Sequence, residues 1–223
     1  MILPFPSRKN PVAPLVVALA LHSEEAANEH DLEWAHWLFQ GVRARCVAVV
    51  FQSDAMDRAE LLSDWQTFAA ESFLPILAPA LIEGWQQAII GDESGLLAWN
   101  LKLNQQLNET SRERSLAAGE VLLHDTRGAK YQGALGKLRQ RIETGETDGH
   151  LAMVWAGLSA MFQIPPVDML TEYLRQEWLV GTRDFASAGE PQGALSFPGL
   201  AQQALHHSRV LAFDEPLPKA AGG

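Results

Sequence analysis

Residues 149–163, Gly-His-Leu-Ala-Met-Val-Trp-Ala-Gly-Leu-Ser-Ala-Met-Phe-Gln, constrain this chain more than any other stretch. Leu151, Met153, Val154, Trp155, Leu158, Met161 and Phe162 leave a helix here with almost no polar side. Such a helix is stable only when other elements wrap it, which puts it at the centre of a bundle. Thr147 or Asp148 supplies its N-cap, and Pro165-Pro166 opens a following helix to about residue 180, since proline suits a first turn.

The flanking sequence is helical in period. Ala27, Leu32, Ala35 and Leu38 predict a helix over about 24–40, with Gly41 as its stop. Leu61, Trp65, Phe68 and Ala69 predict an amphipathic helix over 57–73, which Pro75 and Pro79 interrupt before a more apolar helix to about residue 90. Residues 96–123 support one long helix or two stacked ones, followed by a polar hairpin at 125–128 and a basic helix ending near 143. Cys46-Val-Ala-Val-Val-Phe51 has strand-like composition but no partner strand, so a buried helical or irregular segment fits equally well. A loop at 186–198 precedes a short last helix. The expected fold is all-α: a single helical-bundle domain of about eight to ten helices over 15–213, with an N-terminal arm at 1–14 and a tail at 214–223.

Composition removes several functions. A formal charge of -10 opposes duplex binding, whose affinity comes from Lys and Arg on phosphates. The lone Cys46 excludes a disulfide framework and multi-thiolate zinc sites. No apolar run reaches the roughly 18 residues that span a bilayer, so no membrane partner is expected. Arg8 and Lys9 before the apolar residues 12–21 leave two readings: a buried first helix in a cytoplasmic protein, or a signal peptide over 1–20 in a secreted one.

Catalytic signatures are missing. There is no Gly-x-Ser-x-Gly, no His-Glu-x-x-His, and Gly136-Lys137 lacks the rest of a phosphate-binding loop. Glu29, Glu33 and His36 are candidate metal ligands, because Glu33-Trp-Ala-His36 is a Glu-x-x-His step of the kind used in carboxylate bundles. A solvated acidic helix face reads the same residues without a metal. His206 and His207 stand as a metal contact or as surface residues. Charge is uneven: Glu24, Glu25, Glu29, Asp31 and Glu33 share a stretch free of Lys and Arg, while Lys102, Arg112, Arg114, Arg127, Lys130, Lys137, Arg139 and Arg141 make the middle basic. Opposed patches steer charged partner proteins, and seven tryptophans suit interface cores as well as interiors. Together these features favour a binding module over a catalyst.

The order of segments resembles the urease accessory protein UreF family. Leu32-Glu33-Trp34-Ala35 is similar to its Gly-Leu-Glu-(Trp)-Ala step, and Asp64-Trp65 to the tryptophan of its next helix. Arg112-x-x-Ser115-Leu116-x-x-Gly119 resembles Leu-Arg-x-x-Ser-Leu-x-Met-Gly. Gly149-His150-Leu151-Ala152-x-Val154-Trp155-x-Gly157 resembles Gly-His-x-x-x-Val-x-Gly, and Phe162-Gln-Ile-Pro165 resembles the exit that follows. Tyr173-Leu174, Trp178 and Ser208-Arg209-Val-Leu211 continue the register to about residue 213. The chain departs from the pattern at 21–31, where acids replace a Gly/Ser loop. It departs again at 183–189, which lacks a Pro-x-Gly-Gln turn, and at 46–54, where about ten residues are extra.

The resemblance implies a non-enzymatic, dimeric chaperone scaffold that binds a UreD/UreH-type protein, recruits a UreG-type GTPase and acts on apo-urease. It implies no cofactor bound stoichiometrically, nickel being handled by the complex. Its partner-binding candidates are Leu32, Glu33, Arg112, Ser115, Gly119, Ser208 and Arg209, with Gly119 and Gly149 also readable as helix-packing sites and His150 as an interior histidine. A divergent paralogue with changed partners and a helical carboxylate/His metal enzyme are the alternatives.

Overall fold

In the computed structural model, the structure describes residues 33, 37–46, 49–126, 133–183, 185 and 189–214, with side chains to residue 208. The elements are α1 (Gln40–Arg45), α2 (Arg58–Phe68), a π-helical segment (Ala69–Leu77), α3 (Ala78–Ile90), α4 (Glu93–Gln106), α5 (Glu109–Asp125), α6 (Gly133–Glu143), α7 (Leu151–Met161), α8 (Pro166–Gly181), a 3-10 turn (Gly193–Leu195) and α9 (Phe197–Asp214). No strand occurs among the described residues, and the expected all-α bundle is the fold.

Helix α7 is the centre that its apolar sequence demands. Leu151 to Ala160 are all buried, and α3, α4, α5, α6 and α8 all pack on it. Helix α3 makes the most extensive contact. Three tryptophans bind this core to loops and neighbouring elements through their indole N–H groups, which need a partner once buried. Trp155 donates to the Met169 carbonyl at 3.0 Å, Trp85 to Ile164 at 3.0 Å and Trp65 to Leu195 at 2.9 Å. Trp65 also meets Trp178 and Phe51 edge-on. Trp65, Trp85, Trp155 and Trp178 are therefore interior residues, and an interface role is not needed to explain them.

Several boundaries differ from expectation. Pro75 does not interrupt the chain: Arg58 to Ile90 runs as one helical rod, wound as a π-helix around Pro75. Proline lacks an N–H and crowds the carbonyl four residues back, and the wider π turn relieves both. Asp57 caps the rod, accepting from the Ala59 and Glu60 amides, while Glu60 reaches back to the Met56 amide. By length and composition this 33-residue rod is apolar enough to cross a membrane, and half of its most apolar window is buried inside the fold, as a core helix requires.

Gly41 does not stop a helix; it lies inside α1, where a Cβ would strike the Asp125 carboxylate that pairs with Arg45. Residues 96–123 form two helices, parted at Leu107 and restarted by the Asn108 side chain, which caps the Ser111 amide. The last helix, α9, is 18 residues long and not short, because it packs along α8. Val49, Val50 and Phe51 form a buried irregular segment beside α8. The arm at 1–14 and the tail beyond 214 lie outside the described residues.

The Trp65 anchor has a measurable consequence. Trp65→Phe keeps most of the ring but leaves the Leu195 carbonyl without its donor. It is expected to lower the unfolding free energy by about 1–3 kcal/mol in urea titration.

Candidate functional site

A densely connected polar structure sits where α4, α5 and the entry to α7 meet. Asn100, fully buried on α4, clamps the chain entering α7. Its amide donates to the Asp148 carbonyl at 2.6 Å and to Thr147 Oγ1 at 3.2 Å, and its carbonyl accepts from the His150 amide at 3.1 Å. Thr147 and Asp148 thus serve this clamp, and His150 occupies the N-cap position expected of them.

One turn further along α4, Asn104 donates to Asp148 Oδ2 at 3.1 Å and faces His150 Nε2 through Oδ1 at 3.0 Å. A carboxylate only accepts, so the Asn104 NH2 must face Asp148 and its carbonyl must face the imidazole. His150 therefore carries its proton on Nε2, and the bare Nδ1 accepts from the Ser115 hydroxyl at 3.1 Å. Burial holds the His150 pKa down, to about 4, with Asp148 opposing the shift and Arg112 adding to it. The imidazole is neutral and both its nitrogens are engaged. It is a structural histidine of the interior.

The candidate residues Arg112, Ser115 and Gly119 all lie on α5 and lead into this junction. Arg112, half-buried, donates to the Asn104 carbonyl at 3.3 Å near the end of α4. Ser115 is fully buried against His150. Gly119 lies so close to the Gly149 backbone that a Cβ there would overlap the Gly149 carbonyl oxygen. Ser115 and Gly119 are consequently packing positions between α5 and α7, and they present no surface to a partner in this fold. Asn100 and Asn104 were missed in the sequence. Their signal was an asparagine within the Leu96–Leu103 apolar face of α4, with a second one turn later.

The other candidates are placed apart. Glu33 is exposed, whereas Glu29, Leu32 and His36 lie outside the described residues, and so does most of the expected Glu/His ligand set. Among the described residues no group of three or more His, Cys, Asp or Glu side chains is placed to hold a metal. His206 and His207 are exposed neighbours on α9 with ring centres 6.5 Å apart. Ser208 is half-buried and donates to the Ala204 carbonyl at 3.1 Å, and Arg209 continues α9. The basic middle of the chain is partly neutralised by acids: Glu93 takes both Arg141 and Lys137, Glu146 takes Arg141 as well, and Glu143 takes Arg139.

A second buried polar group lies on α8. Glu177 accepts from the Phe51 amide at 2.8 Å. Burial raises its pKa to about 7, against the pull of the Phe51, Tyr173 and Val50 hydrogen bonds. Beside it both polar atoms of the Gln176 side chain are buried without a hydrogen-bond partner.

These groups make two predictions. Gly119→Ala forces the α5–α7 contact apart and is expected to cost about 3 kcal/mol or more. Gly91→Ala, at an open left-handed turn (φ 79°), costs about 1 kcal/mol. Second, His150, depressed from 6.5, gives stability that is complete above pH 6.5 and is lost as pH falls toward 4. Glu177, raised from 4.5, gives stability that is complete below pH 4.5 and is lost as pH rises through 7. Between 4.5 and 6.5 the two slopes oppose. Glu177→Gln should therefore unmask the histidine, with unfolding free energy falling about 1.4 kcal/mol per pH unit on acidification. A urea-denaturation profile unchanged from wild type excludes this pairing.

Comparison with known proteins follows the same junction. The UreF family model matches residues 56–179, which include Asp64-Trp65, the Arg112–Gly119 and Gly149–Gly157 segments, Ile164-Pro165 and Trp178. Leu32–Ala35 and Ser208–Leu211 lie outside the matched span. No curated protein and no solved structure matches the chain. Since the matched span covers more than half of the sequence and contains both halves of the His150 junction, the chain belongs to the UreF family of urease accessory proteins.

Proposed function

We propose that this protein is a non-enzymatic scaffold for nickel insertion into urease, recruiting a UreG-type GTPase and a UreD/UreH-type protein to the apo-enzyme in the cytoplasm, as a homodimer. Membership of the family supports a role in urease maturation. The observation that carries the finer reading is the way the two family segments lock together. Arg112–Gly119 and Gly149–Gly157 meet around a neutral, fully engaged histidine, an arrangement that shapes a surface and offers no group for proton transfer. Nickel is cargo of the assembled complex in this reading, and the scaffold acts by holding the protein that delivers it. Recruitment of GTP hydrolysis through a separate GTPase fits the incomplete phosphate-loop sequence at Gly136-Lys137.

Co-expression with the UreG-type and UreD-type proteins of the same gene cluster tests the proposal. A stable complex of all three on size-exclusion chromatography is the expected result. Recovery of this protein free of both, while the other two remain soluble, sinks it.

A further inference from the structure

Helices α5 and α6 are consecutive in the chain yet barely touch each other. Between them and the turn before α7 opens a cleft of about 780 Å³. Its apolar lining includes Leu116, Leu123 and Ile142. Its acidic groups are Glu120 on α5, Glu143 on α6 and Asp148 on the turn, with Arg139 the lining arginine, already paired to Glu143. Glu120 and Asp148 are exposed, and no salt bridge with a cation is found for either among the described residues. Glu93, Asp125, Glu146 and Glu172 each hold an arginine.

We infer that this cleft is a docking site for a partner protein's segment in which an apolar side chain is flanked by lysine or arginine. The apolar lining takes the anchor, and Glu120 and Asp148 take the flanking cations. The volume is that of a binding pocket, and apolar anchors in such pockets carry most of an interface's affinity. Glu120 on α5 and Asp148 on the turn before α7 complement the flanking cations and fix the register of the segment. The cleft is also held open by the junction described above. Asp148 is fixed by Asn104, and Gly149, which lines the cleft, is pressed against Gly119. Packing around His150 is thereby linked to the shape of a surface that a partner meets.

This inference rests on the maturation reading for the identity of the partner, and the test separates the two. Purified wild-type protein is titrated against the UreD-type and UreG-type proteins of its own gene cluster, by interferometry, beside three variants. Ala117→Trp fills the cleft from an exposed position on its rim and is expected to weaken binding of one partner at least tenfold. Glu120→Lys is expected to weaken it about fivefold at low salt, with the difference shrinking at high salt. Glu71→Lys, an equal charge change at an exposed site on the π-helical segment, is expected to leave binding unchanged. Thermal melts matching wild type show that the variants fold, and Glu120→Lys keeps the test open if Ala117→Trp does not. Wild-type binding with neither cleft variant impaired overturns the cleft assignment alone. A cleft variant that changes only the oligomeric mass assigns the cleft to a second copy and overturns it too. Absence of wild-type binding removes the maturation reading and the cleft assignment together.

Discussion

The close approach of Gly119 to the Gly149 backbone is the contact on which the rest of the structure depends. At position 119 only glycine lets α5 come so near the chain entering α7, and the junction around His150 exists because of that proximity. Once α5 is there, Ser115 reaches the imidazole, Asn104 reaches it from α4, and Asn100 holds the turn from behind. Burying so many polar groups is favourable only when each is satisfied, and around His150 they are. Such a network has one low-energy arrangement, so it sets the angle at which three helices meet as well as their distance.

Another part of the bundle, around α8, is organised by another rule. There an aromatic cluster of Phe51, Trp65, Trp178 and Phe197 packs around α8, with the carboxyl of Glu177 buried beneath the Phe51 segment. Its polar groups are less completely paired, and the carboxyl sits near its midpoint of ionisation at neutral pH. His150 and Glu177 respond to pH with opposite sign, so their two contributions to stability offset each other between about pH 4.5 and 6.5.

What could be read in the sequence was what depends on local pattern. The all-round apolar character of 149–163 placed α7 at the centre, and the leucine spacing gave most helices. Gly119 could be recognised as a packing glycine and His150 as an interior histidine. What could not be read depends on which helix meets which. Asn100 and Asn104 look like ordinary helix asparagines until the turn before α7 arrives beside them. Gly41 reads as a helix stop until Asp125 is seen to need its missing side chain. Pro75 reads as a break because a π-helical segment leaves no local signature, and α9 reads as short because its length comes from packing along α8. The tryptophans suggested an interface because composition alone does not tell a buried indole from an exposed one.

For function, the same division holds. The paired family segments were visible as motifs, but their meaning as two faces of one junction, and the cleft that this junction holds open, emerged only from the fold. In the proposed function, this member of the urease accessory family acts through the surface that the junction shapes. The most direct measurement is the nickel content of urease purified from otherwise identical cells with and without this gene. The account predicts nickel-poor, inactive urease in its absence, restored by supplying the gene. Urease fully loaded with nickel in cells that lack the gene contradicts it.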